Sequence, residues 1–189
     1  MEEENPEVLQ AAVDQLAVLK ESHPELVRED EHPFTECAPF ADTIKGQGYS
    51  FQSGWHFINL PYLDQGNTLD DYPDWTQPED DVVKALFALT NLIMDTGDYK
   101  DTVYYEQISS KFSDVEDQKS FALRLIVHYI GDVHQPLHST AEIDDEFPTG
   151  DRGGNSESVP SQGGASNLHA IWDSVVYEYT GKPKTVSLL

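Results

Sequence analysis

The stretch SDVEDQKSFALRLIVHYIGDVHQPLH, Ser113 to His138, decides how this chain is read. Ser113-Asp114-Val115-Glu116 forms a capping box ahead of apolar residues at Phe121, Leu125, Val127, Ile130 and Val133. This pattern predicts a helix that runs toward Pro136, where the ring ends or bends it. Within that helix His128 and Asp132 are four residues apart, so their side chains sit one turn above the other and converge. His138 follows just past the proline, and His134 lies between them.

The spacing recurs downstream, where His169 and Asp173 are again four apart in a helix that Asn167 can cap and that continues through Val175 and Val176 to about Thr180. Upstream, Asn5-Pro6 reads as an N-cap with Pro at the first helical position. Leu9, Ala12, Val13, Leu16 and Leu19 then carry a helix to Ser22. The prolines at 24, 33 and 39 leave room only for short helical pieces between His23 and Gln52. Trp55 to Leu63 reads as extended or irregular, and Asp64 to Asp81 as an acidic loop. A second capping box, Thr76 to Glu79, opens a helix that includes Val82 to Met94. A short helix is expected over Thr102 to Ser109. Thr140 to Ser166, 27 residues rich in Asp, Gly, Ser and Pro, reads as one long loop, either functional or disordered. The expected fold class is all-α: a mainly helical single domain over residues 1–189, with long irregular loops and sparse β content.

Composition narrows the function. The 189 residues carry 11 Lys and Arg against 35 Asp and Glu, a formal net charge of −24. Such a surface repels nucleic acid and anionic lipid at long range, so a phosphate ligand needs a local positive centre, a metal or a well-placed lysine. The single cysteine, Cys37, excludes an internal disulfide framework and a thiolate zinc site; its expected place is the core, with the orphaned half of a lost disulfide as the alternative. No run approaches the roughly 18 apolar residues of a membrane span, and the acidic start is unlike a signal peptide.

One His/Asp pair at helical spacing is commonly a surface hydrogen bond. Two such pairs flanked by Tyr129, Ile130, Ile171 and Trp172, with His138 beside them, point instead to metal, because buried ionisable groups need a partner. Imidazole and carboxylate without thiolate suit catalytic zinc, with iron and manganese as alternatives.

These motifs in order, GWHFINLP, HYIGDVHQPLH and SNLHAIWDS, resemble the zinc-dependent single-strand-specific nuclease and 3′-nucleotidase family, of mung bean nuclease type and phospholipase C-like fold. The resemblance covers about Pro6 to Gly181. It implies three zinc ions in a cleft of a helical domain, a metal-activated water as nucleophile, and export to a secreted, lysosomal or vacuolar location. Asp42, His56, His128 and Asp132 would hold one zinc, and His138, His169 and Asp173 another. Asp42 would also orient the attacking water, Lys45 would stabilise charge on the phosphate, and Phe57 would stack a base. Asn59 stands where relatives carry an acid that reads the base, and Asn155 of Gly153-Gly154-Asn155 would meet a base edge.

A third ion in the family is bridged by the aspartate matching Asp132 and held by an amino-terminal Trp and a nearby His. Residue 1 here is Met and the first histidine is His23. The chain is therefore expected to bind two zinc ions and to be an incomplete or diverged form. The expected substrate is single-stranded nucleic acid or nucleotides, without membrane, handled by a monomer. A phospholipase C-like hydrolase, or a truncated metal-binding form with little activity, are the competing readings.

Overall fold

The computed structural model describes residues 5–28, 32–64, 66–162 and 164–174. Among them are six α-helices and two small strand pairs, the mainly helical architecture that the patterning predicts. The chain forms two compact units, interleaved in sequence: one from Met1–His56 with Val82–Asp132, the other from Phe57–Asp81 with Val133–Leu189.

The first unit is organised on the helix read from the opening stretch. Helices α1 (Pro6–Ser22), α2 (Pro33–Ile44), α3 (Val82–Met94) and α4 (Val103–Lys111) precede α5 (Val115–Asp132), and α1, α2 and α3 all pack on α5. Phe121, Ala122, Leu125 and Tyr129 of α5 are fully buried, as are Leu16, Leu19, Phe40, Ile44, Leu89 and Leu92 on the helices packed against it. Each large apolar side chain so buried contributes roughly 1.5–3 kcal/mol. Ile130, expected on the apolar face, is 49% exposed instead. Asp114 caps α5 by accepting from the Glu116 amide at 2.8 Å, one residue later than the capping box implied.

Arg124 in the middle of α5 is buried, and its guanidinium donates to Glu36 Oε2 and to Leu16 O, each at 3.0 Å. This braces α5 against α2 and α1 from inside the core. Cys37 lies beside it, fully buried, and burial pushes its thiol up to about 11.

Three local expectations change. Pro39 does not interrupt helix formation: it sits inside the 12-residue α2, on an exposed face with Thr35, whose carbonyl can turn to water for the amide that proline lacks. The helix assigned to the Thr76 box starts only at Val82, and Gln77 donates to Ile58 O in the second unit instead. Of the stretch Trp55 to Leu63, expected to be extended or irregular, only Trp55 and His56 depart, as the end of a run of 3-10 turns over Ser50–His56 held by Trp55, which is buried against Phe51 and Tyr104.

In the second unit β1 (Leu60–Tyr62) runs parallel to β2 (Thr140–Glu142), with Leu60 opposite Thr140. β3 (Ser158–Gln162) pairs antiparallel with β4 (Ala165–Asn167) and leads into α6 (Leu168–Asp173). The segment 140–166 is thus no single loop, since it contains three strands. Their short lengths and mixed residues give no alternation long enough to read. Asn167 caps α6 through the Ala170 amide at 2.7 Å, as expected. The expected continuation through Val175 and Val176 to Thr180 lies outside the described residues, as do residues 1–4. Among the described residues no helix is long and apolar enough to cross a membrane.

Candidate metal centres

In the first unit the last turn of α5 carries His128 and Asp132, α2 carries Asp42, and the 3-10 run ends on His56. One ligand atom from each of Asp42, His56 and His128 lies within 4.8 Å of the others. Asp132 Oδ2 stands 2.7 Å from His56 Nδ1 and 3.2 Å from His128 Nε2. The two ring nitrogens are 3.1 Å apart. Donor atoms around a tetrahedral zinc, at roughly 2.0–2.1 Å from the ion, stand about 3.3 Å from one another.

The outer hydrogen bonds decide what these atoms offer. His128 Nδ1 donates to Ala38 O, which leaves Nε2 with its lone pair facing Asp132 and His56. His56 Nε2 faces Gln52 Oε1 at 2.8 Å, and His56 Nδ1 faces inward. Two lone pairs and a carboxylate oxygen this close need a positive centre among them, a proton or a metal ion. That requirement, with no thiolate in the donor set, fits zinc.

Burial sets the charge of the group, and pairing modifies it. Burial alone would raise the Asp132 carboxyl, but hydrogen bonds from His128 and His56 outweigh it and hold Asp132 well below the usual carboxylate range. For His56 burial prevails, and the imidazole is pushed below its ordinary value. For His128 burial is outweighed by the hydrogen bond and charge of Asp132, and the imidazole ends above its ordinary value. Asp42 is more open: burial raises it, but the Lys45 ammonium at 2.7 Å together with His128 and His56 outweighs burial and lowers the carboxyl.

The second unit gathers His138, His169 and Asp173, with one ligand atom from each within 4.8 Å of the others. His138 ends a 3-10 turn opened by Pro136, and α6 supplies the other two. His169 Nδ1 donates to Gly153 O at 2.7 Å, so Nε2 is turned to Asp173 Oδ2, 3.4 Å away. Gln135 Nε2 donates to the other oxygen of Asp173 at 2.9 Å.

Gly153 has φ +62°, and a Cβ placed on it would lie 2.1 Å from Leu137 O, so only glycine fits. Buried Asp151 fixes the turn by accepting from the Gly153 amide at 3.0 Å and the Gly154 amide at 2.7 Å. The pair Gly153-Gly154 therefore serves His169 directly, a role that the sequence did not suggest.

Phe57 stacks on the His138 ring with centroids 4.6 Å apart and planes 6° apart. Asn59 is held at φ +51°, and its Oδ1 is buried with no hydrogen-bond partner. Asn155 turns its amide back to Arg152 O at 3.0 Å. His134 is exposed, and neither it nor His23 or His32 belongs to a metal-binding group among the described residues.

Gln52, Gln135 and Asp151 are the functional side chains that sequence reasoning missed. Gln135 stands inside the opening motif and Gln52 lies four residues before His56, so spacing alone could have raised both.

Comparison with known proteins gives a consistent picture. Residues 1–187 match the family model for S1/P1 nucleases. The chain is 27% identical to Endonuclease 5 of Arabidopsis thaliana over 173 residues, 87% of this chain and 50% of that one. It is 30% identical to Endonuclease 3 of the same plant over 132 residues, 69% of this chain and 37% of that one. With Nuclease S1 of Aspergillus oryzae it shares 45% identity over 53 residues, 28% of this chain and 16% of that one. The chain thus spans about half the length, or less, of the curated relatives it matches.

Proposed function

The chain belongs to the S1/P1 nuclease family, and from that premise we propose that it is a zinc-dependent hydrolase cleaving single-stranded DNA, RNA and 3′-nucleotides with a metal-activated water. The observation that carries this reading is the pair of His/Asp groups in which the His56, His128 and His169 rings each face an outer acceptor and turn the other nitrogen inward. Asp42, His56, His128 and Asp132 would hold one zinc, and His138, His169 and Asp173 a second. Zinc bound at such donors supplies an acidified water and a Lewis acid for phosphoryl oxygens.

The chain's own residues do the rest. Asp42 accepts a proton or hydrogen bond at its exposed carboxylate and so orients the water. Lys45, already 2.7 Å from that carboxylate, places a positive charge where the phosphoryl group gains negative charge. Phe57 offers an aromatic platform to an unstacked base. Asn155 retains its own Oδ1 for a donor on the base edge, and Asn59, whose buried Oδ1 has no hydrogen-bond partner, would meet one by turning outward. With a net charge of −24, the surface opposes the broad cationic contact that a duplex requires. We further propose a monomer working outside the cytoplasm as one nuclease domain.

Zinc-loaded protein should be assayed on single-stranded DNA, duplex DNA, 3′-AMP and a phosphatidylcholine analogue side by side. Single strands and 3′-AMP should be cleaved, duplex more slowly, and the lipid not at all. Lys45→Ala should lower kcat on the order of 10²-fold at unchanged zinc content. Cleavage of the lipid alone would replace the reading with a phospholipase C-like one.

A further inference from the structure

Gln52 is fully buried, and three hydrogen bonds surround its amide. Its Nε2 donates to Ala41 O at 2.7 Å, and its Oε1 accepts from the Tyr129 hydroxyl at 2.7 Å and faces His56 Nε2 at 2.8 Å. The amide cannot be turned round. A flip would set Oε1 against a backbone carbonyl, two acceptors with no proton between them. With Oε1 so fixed, His56 Nε2 has to carry the hydrogen and Nδ1 has to carry the lone pair.

That assignment opposes the local pull of Asp132. A carboxylate 2.7 Å from His56 Nδ1 draws the ring proton to Nδ1, which would block that nitrogen as a ligand. Gln52 is the group on the far side of the ring that draws it the other way. His128 needs no such contest, because Ala38 O takes its Nδ1 hydrogen on the side remote from Asp132.

We propose that Gln52 is a positioning residue that commits His56 to metal binding through Nδ1, braced by Ala41 O and Tyr129. The proposal rests on the metal reading of the Asp42 group given above. Gln52 does not touch the ion or the substrate. It acts through the tautomer of His56, so its removal weakens one metal group and leaves the other intact.

Two measurements test it. In metal-free protein, the ring ¹⁵N shifts of neutral His56 should show hydrogen on Nε2 in the parent and on Nδ1 in Gln52→Met. In a zinc competition titration, Gln52→Met should lower affinity at the Asp42 group by about 10–100-fold, with the His138 group unchanged. Gln52→Glu, protonated on the oxygen that faces Ala41 O, keeps both that hydrogen bond and an acceptor facing His56, and should restore most of that loss. A bare Nε2 in the parent, or parent-like affinity and tautomer in Gln52→Met, would overturn the proposal. Should Gln52→Met fail to fold, the parent's ring shifts decide alone. A parent whose Asp42 group takes up no zinc would sink the metal reading, and the ring shifts would still judge Gln52.

Discussion

At the Asp42 group the inward-facing donor atoms stand on α2, on α5 and on a 3-10 run packed by Trp55, and the props behind them are the buried Gln52 and Tyr129 and the carbonyl of Ala38. At the His138 group they stand on a three-residue turn and a short helix, and the props are a glycine carbonyl, a glutamine and the turn fixed by Asp151. The first group draws its geometry from the packing of a helical core, whose loss would be felt throughout the first unit. The second draws it from backbone conformation at two glycines, so it can fail locally. Similar donor sets therefore differ in what keeps them in place.

The comparison can be broken first at Arg124. Arg124→Leu would leave the Glu36 carboxylate buried without its partner and should cost about 3–5 kcal/mol in urea unfolding. The double variant with Glu36→Leu should recover much of it. A cost near zero for the single variant would mean that the Asp42 group does not depend on this brace.

Gly153→Ala comes next, because the added Cβ would have to move Leu137 O and with it the acceptor of His169. Zinc affinity at the His138 group should fall on the order of 10²-fold, with the Asp42 group retained. If both groups weaken together in a metal titration, the local character assigned to the second group is wrong.

The smallest effect is a pH dependence that sharpens the first group. His128 is raised, so in metal-free protein its contribution is full below an ordinary imidazole value of about 6.5 and is lost as pH rises through its folded value. His56 is lowered, so its contribution has the opposite sign, being lost as pH falls through that range. Asp132 contributes above about pH 4 and is lost only as pH falls through its depressed folded value. The two histidines partly cancel in apo stability, so zinc affinity is the cleaner readout. It should increase as pH rises through the raised value of His128, where metal replaces the proton. A flat profile across neutral pH would contradict that competition.

Sequence patterning reached as far as local chemistry does. Pro6, Thr102 and Asn167 mark helix starts correctly because caps and the proline ring act within one turn. The mainly helical class was legible for the same reason. Pro39 misled because the exposure of one helix face is a tertiary fact, and the three strands in 140–166 were missed because their partners are remote or their runs too short. His128 and Asp132 could be paired from spacing, whereas the contact of His56 with Asp132 spans 76 residues and follows only from packing. Gln52 and Gln135 were passed over because an uncharged amide carries no chemical flag until its partners are known.

The base of the acidic segment in the second unit is closed twice, by the Asp151 amide on Glu142 O and by the Glu142 amide on Asp151 Oδ1, each at 2.9 Å. Residues 143–150 thus leave and return through one clasp, and Gly153 hangs from the same aspartate beyond it. Loop closure entropy grows only slowly with length. The exposed tip of that span, residues 145–149 beyond the buried Ile143, is accordingly a natural position for lengthening, shortening or grafting a foreign peptide, with His169 shielded from the change by the clasp.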